Sequence, residues 1–174
     1  TTEFRDSDKV MTGKSFVAPW QGGFGTTLTW KGISLAAQFS WVADRWVFNN
    51  DRYLDEGNGL FETYNQSSRL LYDRWKKPGD VTDIPRYGVT PQMDSRFLED
   101  ASFLRLKNLM LSYNFPQTLL KKTNFLTHLR VFAQGQNLLT FTKFSGLDPE
   151  GVSNMYQAQY PSTRQFTFGL EVSF

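Results

Sequence analysis

The chain of 174 residues has a formal net charge of +2 and contains no cysteine. The balanced charge argues against nucleic-acid binding, and the lack of cysteine excludes disulfides, thiolate nucleophiles and Cys-ligated metals. Aromatic residues make up 16% of the chain although its mean hydropathy is −0.44. Many rings in a polar sequence are typical of a membrane β-barrel, in which lipid-facing and polar positions alternate.

Two alternating segments near the N-terminus, residues 22–31 and 33–42, predict a pair of strands. The Lys31-Gly32 dipeptide between them is typical of a tight hairpin turn. The apolar side chains of each segment share one face because successive strand residues point to opposite sides. Trp30 and Trp41 bracket the turn and the second strand, and we predict that they anchor at the two membrane interfaces.

Residues 42–101 are predicted to be a long loop with one short helix over residues 67–75. Ser67 or Ser68 caps the start of this helix, and the sequence KKPG over residues 76–79 ends it. Residues 49–58 have the oxygen-rich composition of a calcium loop, but Tyr53 occupies a position where an EF-hand needs an oxygen ligand. We therefore expect a solvated extracellular loop there, and a surface calcium site is the alternative that stays open.

The middle of the chain predicts two further strands, over residues 102–114 and 128–138. In the first, the apolar residues change parity, which predicts a bulge near Asn108. In the second, Phe132 falls among the polar residues, so we expect it to pack inside the wall. His128 is the only histidine in the chain, which excludes a His-dependent triad or a multi-His metal site within it.

The last predicted strand, over residues 164–174, has the clearest alternation. Its apolar residues share one face and are Phe166, Phe168, Leu170, Val172 and Phe174. A transmembrane strand needs about 9–11 residues, which is the length of this segment. We expect Phe166 and Phe168 to lie at the membrane interface. A strand of a soluble, aromatic-rich carbohydrate-binding β-sandwich has the same period, so that alternative stays open.

The connections between the predicted strands alternate in length. Residues 31–32 form a short turn, residues 42–101 and 138–163 form long loops, and residues 115–127 form a connection of moderate length. Outer-membrane barrels have short periplasmic turns and long extracellular loops. The alternation therefore predicts that the last strand runs inward and places Phe174 at the periplasmic rim.

The titratable residues do not predict a catalytic site. Asp94, Glu99 and Asp100 are the nearest approach to a pair of catalytic carboxylates, and we expect them to have structural roles at the entry to a strand. We predict no catalytic residue, no cofactor and no enzymatic activity. An outer-membrane enzyme with its catalytic groups on extracellular loops is the alternative, and it needs titratable groups that converge.

Four segments together resemble the SusC/RagA-type TonB-dependent transporters of Bacteroidetes outer membranes. They are RWKKPGD over residues 74–80, SRFLEDASFLRLKN over residues 95–108, GQNLLTFTKFSGLDPE over residues 135–150, and the ending over residues 160–174. The resemblance covers almost the whole chain from about Pro19 onward. It implies an all-β segment, the C-terminal strands of a transmembrane barrel of about 22 strands with long extracellular loops.

The resemblance also implies what the chain works with. A complete member has a plug domain, a TonB-contacting N-terminal part and further strands, which this chain lacks, so we expect it to pair with the remainder of the same barrel in the lipid bilayer of the outer membrane. A SusD-like lipoprotein covers the mouth, and the cargo is an oligosaccharide or an oligopeptide. Residues 42–101 are the candidate contact with that lipoprotein and cargo. Gly169, Val172 and Phe174 are the expected C-terminal signal for barrel assembly.

Overall fold

The computed structural model of the chain describes residues 5–61, 63–89, 92–123, 125–151 and 153–174. In chain order their strands are β1 (Trp20–Trp30), β2 (Ile33–Ala43), β3 (Trp46–Asn49), β4 (Leu98–Asp100), β5 (Phe103–Asn114), β6 (His128–Thr142), β7 (Met155–Tyr156) and β8 (Gln165–Ser173). The helices are α1 (Asn50–Asp55), α2 (Arg69–Tyr72) and α3 (Gln117–Leu120). No helix among the described residues is long and apolar enough to cross a membrane.

The described residues divide into two compact units. The strand unit contains residues 19–43, 102–143 and 161–174, and the loop unit contains residues up to 18, 44–101 and 144–160. The strand unit holds one antiparallel sheet of five strands in the order β1-β2-β5-β6-β8. Each strand therefore pairs with its neighbour along the unit, as in a meander. β1 begins at Trp20 rather than at residue 22, and β6 continues to Thr142 rather than ending at residue 138.

The two faces of the five-stranded sheet differ in chemistry. Directly paired residues point to the same side, so the register aligns the apolar residues of neighbouring strands. Across the sheet Leu35 pairs with Leu111, and Val131 pairs with Leu170. Phe24 pairs with Phe39 on this same face, and their rings stack with centroids 4.9 Å apart. The opposite face carries the Gln, Thr, Ser, Asn and Gly residues of the alternating pattern.

A bulge in β5 corrects the change of parity that the sequence shows. Asn108 pairs with Gln38 and Leu106 pairs with Phe39, so Lys107 is the extra residue on β5. The extra residue returns Leu104 and Leu106 to the face that carries Leu109 and Leu111, because a shift of one residue turns a strand over. The bulge predicted near Asn108 is confirmed, one residue earlier in the chain.

The loop unit has a small sheet and its own core. Its three strands have the order β4-β3-β7, with β3 antiparallel to β4 and parallel to β7. Val47, Ala101, Phe144 and Tyr156 are buried together, and the ring of Phe16 packs against them. Phe97 is fully buried beside the rings of Phe48 and Tyr53, with centroids 5.9 Å and 5.4 Å away. Burial of this apolar area is what makes the unit compact.

The prediction of a single short helix over residues 67–75 is wrong in number and length. The part of the chain that the structure describes has three α-helices, and the one in this region, α2, covers only Arg69–Tyr72. The helix α1 was missed because its cap is a side chain: the Asn49 amide oxygen accepts a hydrogen bond from the Arg52 amide at 3.0 Å. In α2 the Ser67 hydroxyl accepts a bond from the Arg69 amide at 3.3 Å.

The expected solvated loop over residues 49–58 is also wrong. Most of this segment is α1, and Asn49, Asn50, Glu56 and Asn58 are buried. Some of these buried polar groups are hydrogen-bonded: the Asn58 amide donates to the carbonyls of Arg86 and Val89 at 2.6 Å and 2.9 Å. A buried polar group that is hydrogen-bonded avoids most of its desolvation cost.

Candidate functional site

The apolar face of the strand unit is exposed rather than covered. In β8, Phe166, Phe168 and Leu170 have 68%, 79% and 64% of their surface accessible. Large exposed apolar residues continue across the sheet at Trp20, Leu28, Trp30, Leu111, Leu139 and Phe141. A contiguous exposed apolar face of this kind marks a surface that contacts another molecule or a membrane. Its chemistry suits contact with hydrocarbon.

The predicted interface aromatics lie at different places on this face. Trp30 is exposed at the β1–β2 turn, where the Lys31 ammonium lies 4.8 Å from its ring centroid. Trp41 is half-buried, because its ring leans over Gly22 of the paired strand, with its indole nitrogen 3.2 Å from where a Cβ of that glycine would be. Anchoring of Trp30 and Trp41, and of Phe166 and Phe168, at the interface stays a prediction.

The opposite face of the strand unit carries charged groups held by polar neighbours. The Arg105 side chain is buried, and it donates to the hydroxyls of Thr140 and Ser162 at 3.0 Å each. The Arg130 guanidinium lies 3.4 Å from the Glu171 carboxylate, which is on the paired strand. Polar side chains of this kind suit a water-filled or protein-filled lumen.

The three expected assembly-signal residues have different surroundings. Val172 pairs with Leu129. The Phe174 ring is exposed and stacks on Phe125, with centroids 6.2 Å apart and planes 12° from parallel. Gly169 pairs with Phe132, whose ring covers it. The role of these residues in assembly stays a prediction.

A cluster of ion pairs organises the loop unit around Arg52. Its guanidinium contacts Glu56 at 2.9 Å, Asp83 at 2.7 Å and Glu99 at 3.3 Å. Arg69 also binds Glu56, and it contacts Asp83 at 2.8 Å. Only 2% of the Glu56 side chain is exposed. These five residues, which we call the charge cluster, join α1, α2, the segment before β4, and β4 itself.

The pKa shifts follow from burial and from these pairs. Burial lowers the pKa of Arg52, but hydrogen bonds and charges from Glu56 and Glu99 raise it by more, so the net pKa is above its ordinary value. Burial raises the pKa of Asp83, but the charges of Arg69 and Arg52 lower it by more. Burial, with the charges of Asp51 and Glu56, raises the pKa of Asp55. For both Arg52 and Asp83, the oppositely charged side chains of the cluster therefore outweigh burial and favour the charged form.

Glu99 extends the charge cluster to a distant part of the chain. Its carboxylate accepts bonds from the Ser145 amide at 3.0 Å and from the Ser145 hydroxyl at 2.8 Å. The Asn49 amide donates to the same hydroxyl at 3.0 Å. The expectation that this carboxylate has a structural role agrees with these contacts, which occupy both of its oxygens. Among the described residues, no group of three or more His, Asp or Glu side chains is arranged to hold a metal ion.

The charge cluster was missed in the sequence, although one signal was present. Arg52 and Glu56 are four residues apart, a spacing at which charges meet on a helix. The other partners are farther apart in the chain, and Arg52 and Glu99 are separated by 47 positions. Pairs at that separation depend on the fold of the loop unit and leave no periodic pattern.

These features define a class of protein: a sheet with one lipid-compatible face and one polar face, joined to large, ordered loops. No family model matches the chain. It is 33% identical over 165 residues to TonB-dependent receptor P3 of Formosa agariphila, an alignment that covers 87% of this chain and 16% of that protein. It is 37% identical over 87 residues to TonB-dependent receptor SusC of Bacteroides thetaiotaomicron, covering 50% of this chain and 9% of that receptor.

Solved structures give a closer match. The chain is 40% identical, with a TM-score of 0.91, to a chain in the structure of the RagAB peptide importer in the open-open state, and the match covers 100% of this chain and 19% of that one. The chain belongs to the SusC/RagA family of TonB-dependent transporters, as its sequence predicts. It spans less than a fifth of the length of these relatives.

Proposed function

We propose that this chain supplies five adjacent strands to the C-terminal wall of an outer-membrane importer with a barrel of about 22 strands. The observation that carries the proposal is the exposed apolar face of β8, opposite a face of polar residues and glycine. Such a sheet is stable where one side meets lipid and the other meets a polar lumen. The matches to TonB-dependent receptors support the same assignment.

The edges of the sheet support pairing with the remainder of the same barrel. β1 and β8 are the outer strands of the five, and each presents backbone groups along its free side. An unpaired backbone group in lipid costs several kcal/mol, so a membrane sheet closes on itself. In the proposed arrangement other strands of the transporter pair with β1 and with β8 to close the barrel.

The partners of the complete transporter follow from its family. A SusD-like lipoprotein covers the extracellular mouth, TonB acts through the N-terminal part, and the long segment over residues 42–101 contacts the lipoprotein and the cargo. The cargo is an oligosaccharide or an oligopeptide, and the similarity to a structure described as a peptide importer favours the oligopeptide. Gly169, Val172 and Phe174 take part in assembly of the barrel.

Membrane insertion is tested by a pair of lysine substitutions in the complete transporter. Leu170→Lys places a charge on the apolar face, which costs about 2–4 kcal/mol at the bilayer midplane, whereas Thr167→Lys places it on the polar face. We expect much less folded, detergent-extracted barrel for the first variant and near-normal amounts for the second. Equal amounts for the two variants, or extraction of the protein without detergent, would refute the membrane assignment.

Cargo and coupling are tested in cells that depend on this transporter. Uptake of labelled oligopeptides is compared with uptake of labelled oligosaccharides, with and without collapse of the proton-motive force. We expect energy-dependent uptake of the peptides and co-purification of a surface lipoprotein with the barrel. Uptake of oligosaccharides alone would contradict the assignment of an oligopeptide cargo. Uptake that persists without the proton-motive force would contradict the coupling to TonB.

The assembly role of the last residue has its own test. Removal of Phe174 is expected to lower the amount of assembled barrel without changing uptake per assembled molecule. The measurement compares folded barrel on gels with uptake by the same cells. Normal surface levels of the shortened protein would contradict this role.

A further inference from the structure

The alternating pattern of β8 does not by itself determine which residues of β6 pair with which residues of β8. A shift of one residue against β6 would turn the apolar residues to the polar side, and the pattern forbids it. A shift of two residues keeps Phe166, Phe168 and Leu170 on the apolar face. Lipid contact alone therefore does not select one register among those that differ by two.

Gly169 and Phe132 form a contact that does distinguish these registers. They are paired residues on the polar face of the sheet, and the Phe132 ring occupies the space where a Cβ of Gly169 would be. Gly169 does not have a positive φ angle, so its backbone does not require glycine. The reason for glycine at this position is space, and glycine in a strand often marks such a close approach.

Either shift by two residues would remove this space. In the observed register Phe132 faces Gly169. A shift in one direction would place Thr167 opposite the ring, and a shift in the other would place Glu171 there. Both Thr167 and Glu171 have a Cβ and further side-chain atoms, so neither leaves the space that the Phe132 ring occupies over Gly169.

Two polar contacts agree with the same register. Arg130 and Glu171 are directly paired, with charged atoms 3.4 Å apart. At the other end of the pairing, the Asn137 amide donates to the Thr163 carbonyl at 3.1 Å. Exposed polar contacts contribute little individually, so they support the register without explaining it.

We propose that Phe132 and Gly169 form a register key, which sets how the terminal strand β8 pairs with β6. The functional consequence rests on the proposed barrel. The stagger of the strands determines whether such a barrel can close, and the free edge of β8 would pair with the strand that closes it. Gly169 then acts through Phe132 within the chain, and its effect on assembly does not require recognition by another protein.

The first test is a pair of substitutions and their combination in the complete transporter. In Gly169→Val the added side chain would overlap the Phe132 ring. We expect about tenfold less folded barrel, because overpacking of this kind destabilises the fold. Phe132→Ala removes the ring and is expected to lower the amount less. The double variant should recover to the level of Phe132→Ala alone. A double variant no better than Gly169→Val would overturn the proposal and favour recognition of the glycine by the assembly machinery.

The second test reads the register by cross-linking in detergent micelles. This chain has no cysteine, so cross-links within it arise from introduced pairs. Gln134→Cys with Thr167→Cys reports the observed register, in which these residues pair, and Gln134→Cys with Gln165→Cys reports a shift by two. We expect about tenfold preference for the first pair, and a rise of the second pair when Phe132 is replaced by alanine.

The outcomes separate the parts of the proposal. Recovery of the double variant without any shifted cross-link would show that the ring and the glycine pack but do not set the register, which overturns it. Gly22→Ala is the control for replacing a glycine of this sheet that faces an aromatic ring. Its Cβ would lie 3.2 Å from the Trp41 side chain, so only a small movement of that side chain is needed. The cross-linking measurement depends neither on import of cargo nor on the location of the protein in the cell. It therefore still tests the register if the proposed transport function is wrong.

Discussion

The strand unit and the loop unit use large apolar side chains in opposite ways. In the strand unit, Phe168 and Leu170 are exposed and Arg105 is buried. In the loop unit, Phe97 and Ile84 are buried among other side chains. The difference shows that one chain is adapted to two surroundings, because apolar burial drives folding only where the alternative is water. The loop unit supplies its own apolar interior, whereas the exposed face of the sheet would meet lipid in the proposed barrel.

The charged groups differ between the units in the same way. The loop unit joins five charged side chains into one cluster around Arg52 and the buried Glu56. In the strand unit, Arg130 contacts Glu171 on the paired strand, and this pair is partly exposed. Buried, interconnected pairs are costly to break, and exposed single pairs are not. Substitutions in the two units should therefore have very different effects.

The largest effect is expected from Glu56→Gln in the loop unit. It leaves Arg52 and Arg69 without the buried carboxylate that both contact, and breaking a buried pair costs about 3–5 kcal/mol. Asp73→Asn removes a more exposed partner of Arg69, 3.5 Å away, and should cost less than about 1 kcal/mol. Hydrogen exchange over residues 45–60 in the complete transporter measures the difference. Equal protection in the two variants would show that the cluster does not stabilise the unit.

A smaller loss of stability is expected when leucine replaces a phenylalanine, and its size should differ between the two units. Phe97→Leu leaves a void beside Tyr53 and Phe48, at a cost of about 1–2 kcal/mol. Phe168→Leu keeps an apolar residue against lipid, which adapts to its shape, so the amount of folded barrel should not change. Thermal unfolding with exchange read separately in the two units measures both. A cost at Phe168 equal to that at Phe97 would mean that this face is packed against protein.

The smallest effect is a pH dependence of the loop unit through Asp83. Because Arg69 and Arg52 lower the pKa of Asp83 below its ordinary value of about 3.9, its ionised form stabilises the fold. This contribution is complete above the ordinary pKa and is lost as the pH falls through the lowered one. Asp83→Asn should flatten the loss of protection below about pH 4. An unchanged slope in hydrogen exchange would rule out Asp83 as its source.

The sheet could be predicted from the sequence because its signal is local. Alternation needs only neighbouring residues, so the strands around Lys31-Gly32 and the final segment were visible at once. The change of parity at Asn108 was also visible, since a bulge leaves its mark in the same few residues. Strand ends were less certain: β6 continues past Asn137 and Leu138, an irregularity where Asn137 has a φ of 53°.

The loop unit could not be predicted in the same way. β3, β4 and β7 come from distant parts of the chain, and each has at most four residues. Helix α1 depends on one side-chain cap, and the burial of Glu56 depends on Arg69 in another helix. The register key was hidden for a related reason: Phe132 is an exception to the alternation and Gly169 belongs to the expected assembly signal, and only the strand pairing shows that the two are in contact.

The central claim is that the face carrying Phe168 and Leu170 meets lipid, and the face carrying Thr167 meets a lumen. Spin labels at Phe168, Leu170 and Thr167 of the complete transporter in bilayers test it, by comparing collisions with oxygen, which concentrates in lipid, and with a water-soluble relaxation agent. We expect collisions with oxygen to dominate at Phe168 and Leu170, and collisions with the water-soluble agent to dominate at Thr167. Equal accessibility at all three, or the reverse order, would contradict it.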